Sequence, residues 1–203
     1  MIDDDPSVRR ALERQLRTAG FRVETFESAQ EYVARAPQAA IACIVTDVRM
    51  PGMSGLDLQD SLAQTGRALP MVFITGHGDI PTTVRAMKGG AVNFLPKPFA
   101  EREILAAVAE ALERSAAIEQ ERRESGRLRA RYEALTARER EVLALVAAGL
   151  LNKVIADRLG IQETTIKVHR GRVMEKMGAA SLADLVRMSE RLGLAPGADP
   201  ARR

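Results

Sequence analysis

Three short apolar runs in this chain each stop at a polar residue: Cys43-Ile-Val-Thr-Asp47, Val72-Phe-Ile-Thr75-Gly76 and Phe94-Leu-Pro-Lys97-Pro98. Runs of this length read as buried strands, and the segments between them place apolar residues at helical spacing. Strands alternating with helices predict a parallel sheet with helices on both faces. In such a sheet, ligand chemistry gathers just beyond the carboxyl ends of the strands. Asp47, Thr75 and Lys97 stand at three such ends, and Asp3-Asp4-Asp5 lies near the start of the chain. A lone Asp after a strand is ordinarily a turn or a cap. Joined along one edge by an acid cluster, a Thr and a Lys, it suits phosphoryl acceptance. An aspartate can act as nucleophile, and clustered carboxylates hold Mg²⁺. Lysine supplies a point charge for a phosphate and threonine a hydroxyl donor.

The spacing predicts helices over residues 6–18, 28–35, 56–62 and 80–87, and strands over 21–26, 69–75 and 92–95. Residues 101–135 read as one long helical stretch interrupted at Ser125-Gly126. Ile104, Leu105, Val108 and Leu112 give its first part a core-facing stripe. Beyond Ser115 that stripe fades, and balanced charges over 119–131 predict a solvated helical linker without the sustained heptads of a coiled coil.

On these residues the first half resembles the receiver domain of two-component response regulators. The Asp-Asp pair, T-D-V-R-M-P-G-M-S-G, T-G-H-G-D and P-K-P-F together make a specific set, most like the FixJ-like subfamily. The resemblance covers residues 1–118 and implies an α/β flavodoxin-like (CheY-like) fold. It implies that Asp47 is the phosphoacceptor and that Asp3 and Asp4, with Asp47, hold Mg²⁺. Thr75 would be the switch hydroxyl, Phe94 the switch aromatic and Lys97 the phosphate-contacting lysine, with a cis bond at Lys97-Pro98. The strand that should precede the acid pair is represented only by Met1 and Ile2. In strand order 2-1-3-4-5 it belongs inside the sheet. A start codon assigned too late or a trimmed chain is the expectation, ahead of a degenerate receiver, because the downstream site residues are intact.

Composition narrows the setting. One cysteine, Cys43, excludes an internal disulfide and fits a reducing compartment. Within an apolar strand it reads as a small buried hydrophobe rather than a reactive thiol. The start is acidic rather than a basic and apolar leader, so no signal peptide is expected. No apolar run approaches the length needed to cross a bilayer. A cytoplasmic protein without a membrane partner follows. Residues 1–131 carry 18 basic and 18 acidic residues, so the net +3 falls wholly on 132–203, with 12 and 9. That excess is weak evidence for an acidic partner; placement says more.

In the second half, Thr136 followed by Glu139 forms a capping-box signature before an apolar run that Gly149 ends. A short helix over 153–159, a turn at Gly160 and a basic helix over 163–177 suggest helix-turn-helix. L-T-A-R-E-R-E-V-L, G-L-L-N-K-V-I-A-D-R-L-G-I and T-I-K-V-H-R-G-R-V-M-E-K-M closely resemble the LuxR-type helix-turn-helix over residues 132–195. An all-α DNA-binding domain is therefore implied, with residues 163–177 entering the major groove. Ile166, His169, Val173 and Met177 share an inward face. Lys167, Arg170 and Gly171 lie opposite, with Thr164 and Val168 on an adjacent stripe. Lys167 and Val168 match the family's base-reading positions. Thr165, Asn152, Lys153 and Arg172 suit phosphate contacts, which set register. The sequence departs from the family at Leu151 and Val154, where a capping box usually stands, at Gln162, where a Ser cap is usual, and at Gly171. A final helix from Ser181 would add a two-fold dimer contact, and residues 196–203 read as a disordered tail.

The function this implies is a transcriptional response regulator. A sensor histidine kinase would phosphorylate Asp47, and phosphorylation would control homodimerisation and sequence-specific binding to double-stranded DNA, with RNA polymerase as a further partner. Its only catalysis would be self-phosphorylation and autodephosphorylation. One alternative is a phosphorylation-independent regulator with a degenerate receiver. Another is a Mg²⁺-dependent phosphohydrolase, disfavoured because Arg49 stands where such enzymes carry a second Asp.

Overall fold

A computed structural model describes residues 1–35, 41–76 and 79–194. Its elements run α1 (Pro6–Thr18), α2 (Ala29–Ala34), β1 (Ile44–Asp47), α3 (Gly55–Gln64), β2 (Met71–Thr75), α4 (Ile80–Lys88), β3 (Asn93–Pro96) and α5 (Glu101–Glu133). They continue with α6 (Ala137–Ala147), α7 (Asn152–Leu159), α8 (Glu163–Met177) and α9 (Leu182–Arg191). The chain divides into two compact units, Met1–Glu119 and Gln120–Arg203. The expected disordered tail lies outside the described residues.

In the first unit β1, β2 and β3 pair in parallel in that order. Asp47 stands beside Ile74, and Thr75 beside Pro96. Every residue of β1 and β2 is buried, as a parallel sheet covered on both faces requires. Alternate residues feed two cores. Ile44 and Phe73 join Leu58 of α3, while Val45, Val72 and Ile74 join Leu16 of α1 and Ile104 of α5.

The expected strand over residues 21–26 does not form a ladder. Between it and β1 runs the stretch Met1–Asp3, in which Ile2 makes parallel bridges to Phe26 on one side and Thr46 on the other. Phe26 N–H donates to Met1 O (2.9 Å) and Asp3 N–H to Phe26 O (3.3 Å). On the opposite edge Ile2 N–H donates to Val45 O (2.8 Å) and Asp47 N–H to Ile2 O (3.0 Å). The Met1 ammonium also donates to Glu24 O at 2.7 Å, but among the described residues no ladder runs along 21–25.

A second correction concerns α5, which is unbroken through Ser125-Gly126. Glycine in a helix interior costs about 1 kcal/mol relative to Ala, less than 33 residues of helix can absorb. Nor is the segment 119–131 wholly solvated, because Leu128 is buried among Leu135, Val142, Ile166 and Val173 of the second unit. That unit packs α6, α7, α8 and α9 around one core. Thr136 and Glu139 complete both arms of the capping box at the start of α6. Gly160 and Gly178, in the left-handed conformation, close α7 and α8.

Candidate functional site

The carboxyl ends of β1 and β3 bring Asp47 and Lys97 together, and the loop after Ile2 adds Asp3. Lys97 Nζ donates to Asp47 Oδ2 at 2.7 Å and to Asp3 Oδ2 at 2.9 Å. Asp3 is 1% exposed and Asp47 9%. Their remaining oxygens are occupied by backbone: Asp5 N–H donates to Asp3 Oδ1 and Arg49 N–H to Asp47 Oδ1, each at 2.9 Å. Burial pulls the Lys97 pKa down, but the hydrogen bonds and charges of Asp47 and Asp3 outweigh it and leave the ammonium above its ordinary value. Thr75, 1% exposed at the end of β2, accepts at its carbonyl from Lys97 N–H (2.6 Å). Phe94 is half-buried in β3, its ring tilted on Phe73 with centroids 6.3 Å apart. The Lys97-Pro98 bond is cis.

Two carboxylates converging on one cation suit Mg²⁺, which takes one or two carboxylates with waters and phosphate oxygens. Asp4 is exposed, and among the described residues no three acidic, His or Cys side chains stand together as a metal cluster. Cys43, expected to be buried within the strand, is half-buried just before β1 against the core of α1 and α5, and its surroundings push its thiol up to about 11.

Sequence reasoning did not single out two supports of this site. Arg9, on α1, donates to the carbonyls of Asp3 (2.7 Å) and Asp4 (3.0 Å) and pairs with Glu27 (2.9 Å), so it holds the acid-bearing turn. Gly55 begins α3 against the back of Asp47. A Cβ there would overlap the Asp47 carbonyl oxygen and stand 3.1 Å from both Phe73 and Thr46. Arg9 gave no sequence signal beyond being one of many arginines, and Gly55 stands out in the sequence only as the last residue of T-D-V-R-M-P-G-M-S-G.

In the second unit α8 turns Ile166, Val173 and Met177 into the core and leaves Lys167, Val168, Thr164, Thr165 and Arg172 exposed. Lys167 pairs with Glu163 one turn earlier, at 3.6 Å. An exposed pair of this kind is worth about 0.3–0.5 kcal/mol and is easily given up to a ligand. Arg170 and Asn152 are half-buried and bonded to each other at 3.1 Å, tying α8 to α7. Lys153 is exposed. His169 is half-buried, and among the described residues its buried Nδ1 has no hydrogen-bond partner, so it turns inward without being satisfied there.

Neither Leu151 nor Gln162 caps its helix through a side chain, and Leu151 is 73% exposed. Installing Ser at 151 with Glu at 154 should therefore raise the stability of the second unit by about 1 kcal/mol. Thermal melting of the double variant checks this, and an unchanged midpoint would show that the start of α7 is already satisfied.

A family model described as response regulator receiver domain matches residues 1–109, and one described as bacterial regulatory proteins, luxR family, matches 133–189. Nodulation protein W of Bradyrhizobium diazoefficiens is 50% identical over 194 residues, which are 96% of this chain and 86% of that one. The transcriptional regulatory protein FixJ of Rhizobium meliloti is 44% identical over 97% of this chain and 96% of its own. Among solved structures, the response regulator StyR superposes with a TM-score of 0.83 at 49% identity, covering 94% of this chain and 96% of StyR.

Proposed function

This chain belongs to the response regulators that join a receiver domain to a LuxR-type DNA-binding domain, and from that premise we propose that phosphorylation of Asp47 controls its dimerisation and its sequence-specific binding to DNA. The observation that carries the reading is the Lys97 ammonium set between Asp47 and Asp3, at 2.7 and 2.9 Å.

A carboxylate oxygen of Asp47 forms the new bond to phosphorus as the bond to a donor kinase's histidine nitrogen breaks. Lys97, freed from part of its carboxylate pairing, balances charge on the phosphoryl oxygens. Thr75 offers its hydroxyl, and Phe94 moves inward behind it. Asp3, Asp4 and Asp47 would hold Mg²⁺, which neutralises phosphoryl charge when bound. The added negative charge biases a two-state surface on α4 and β3. Two copies pairing through it bring two α8 helices to a two-fold DNA site, where Lys167 and Val168 read bases. Arg170, Thr164, Thr165, Asn152, Lys153 and Arg172 fix register on phosphates. We assign residues 1–118 to the receiver, 119–131 to a linker and 132–195 to the reader.

Among the described residues no helix is long and apolar enough to cross a membrane. The proposed setting is the cytoplasm, with a sensor histidine kinase and RNA polymerase as partners.

The test compares wild type with Asp47→Asn. Acetyl phosphate or BeF₃⁻ with Mg²⁺ is expected to enlarge the wild-type particle in sedimentation and tighten its grip on duplex DNA. Asp47→Asn should do neither. A wild-type chain that binds DNA identically with and without phosphodonor sinks the switch and leaves a constitutive regulator.

A further inference from the structure

The carboxyl ends of α7 and α8 are each held by an arginine from an element that precedes them. Arg138, in α6, donates from Nη2 to Leu159 O at 2.7 Å. Arg131, in the last turn of α5, donates from Nη1 to Met177 O at 3.0 Å. The second contact is tight because Gly178 has no side chain. A Cβ there would stand 2.9 Å from Arg131 Nη1 and 3.1 Å from its Cζ. Arg131 lies one turn beyond Leu128, which is buried in the same core as Ile166 and Val173.

A cation at the carboxyl end of α8 also complements the helix dipole. The same end of α8 is pinned again by Lys176, whose ammonium donates to buried Glu139 at 2.6 Å. That bond and the Thr136 N–H hold the Glu139 carboxyl below the usual range. At the opposite end Gln162 makes no side-chain cap, and the middle of α8 is tied to α7 by the Arg170–Asn152 bond. Beyond its buried apolar face and that bond, the carboxyl end of α8 is held by Arg131 and Lys176.

We propose that Arg131 is a positioning residue for DNA recognition. Its guanidinium fixes the carboxyl end of α8 and so sets the angle at which Lys167 and Val168 meet the bases. The proposal rests on the reading of α8 as the DNA-contacting helix. The lever is long: at 1.5 Å per residue Lys167 stands about 15 Å from Met177, so a tilt of about 5° carries it about 1.3 Å. Hydrogen bonds to base edges tolerate only about 0.5 Å, whereas attraction to phosphates is far less sensitive. Loss of Arg131 should therefore cost discrimination rather than overall affinity.

The test uses the full chain with acetyl phosphate and Mg²⁺ present. A duplex selected by wild type from a random pool is compared with a scrambled duplex by fluorescence anisotropy, across 50–200 mM salt. Arg131→Ala is expected to lower the selected-over-scrambled ratio about tenfold, with scrambled affinity and salt slope unchanged. Arg131→Lys, which keeps a donor for the Met177 carbonyl, should recover at least half of that loss. Arg129→Ala removes the same charge from an exposed position on the same helix and should match wild type. If Arg131→Ala fails to melt cooperatively, Arg131→Met replaces it with the same expected loss.

Equal behaviour of the 131 and 129 variants overturns the proposal. So does a salt slope reduced by about one with both duplexes weakened alike, because that marks a phosphate contact. Absence of any recovery with Lys removes the carbonyl bond as the cause. A wild-type chain that never prefers a selected duplex is a different failure: it overturns the DNA-contacting reading of α8, and the proposal with it.

Discussion

Lys97→Met is expected to destabilise the first unit by about 3 kcal/mol at neutral pH, the cost of stranding buried charge. Met conserves most of the volume, so the loss is electrostatic. It leaves Asp3, 1% exposed, facing Asp47 with no cation between them. Because the two carboxylates would then be short of a counter-charge, Mg²⁺ should stabilise the variant more than it stabilises wild type, through binding to the folded state alone. Chemical denaturation with and without Mg²⁺ measures both effects. A loss under about 1 kcal/mol, the scale of an exposed pair, with no extra gain from Mg²⁺ would show that the carboxylates are balanced elsewhere.

The same pair has a pH signature. The folded Lys97 pKa lies above its ordinary 10.5, so its contribution to stability is complete below that value and is lost as pH rises through the folded pKa. Wild type should therefore show an alkaline decline that Lys97→Met lacks.

Gly55→Ala is the second large effect. Alanine ordinarily favours a helix over glycine by about 1 kcal/mol, so propensity alone predicts a gain. Here the added Cβ would overlap the Asp47 carbonyl oxygen and crowd Phe73 and Thr46. All three belong to buried strands with little freedom to yield. Overpacking of this kind costs about 1–3 kcal/mol, and the expected net result is a loss of about 2 kcal/mol. The displaced backbone carries the proposed phosphoacceptor, so labelling by acetyl phosphate should also slow. A stabilised variant with wild-type labelling would show that α3 can slide away from β1 freely.

Where the sequence was readable, it was because local pattern and tertiary role coincided. β1 and β2 are apolar runs buried on both faces, and each carries its polar residue at the end where the site assembles. The Thr136 and Glu139 box was legible for the same reason, since its partners lie three residues apart. Residues 21–26 alternate like a strand, but alternation cannot supply a neighbour, and among the described residues the segment makes a single bridge, Phe26 to Ile2. Ser125-Gly126 resembled a break because propensity weighs each residue alone, whereas α5 carries the pair within a long run of good helix formers. Arg9 and Arg131 were invisible for a third reason. Each acts on backbone carbonyls brought near only by folding, and on a helix wheel each looks like one more solvated charge.

The bridging position of Ile2 ties the chemistry to the sheet's integrity. Its two backbone groups, with those of its immediate neighbours, carry hydrogen bonds that join Phe26 to the edge of β1, and Asp3 follows it directly. Loss of those bonds would loosen the Asp47 amide and detach Phe26 together, while Arg9 still holds the turn that carries Asp3. The strand that carries the acceptor and the edge at Phe26 are therefore coupled through one backbone, so a disturbance at either side is felt at the other.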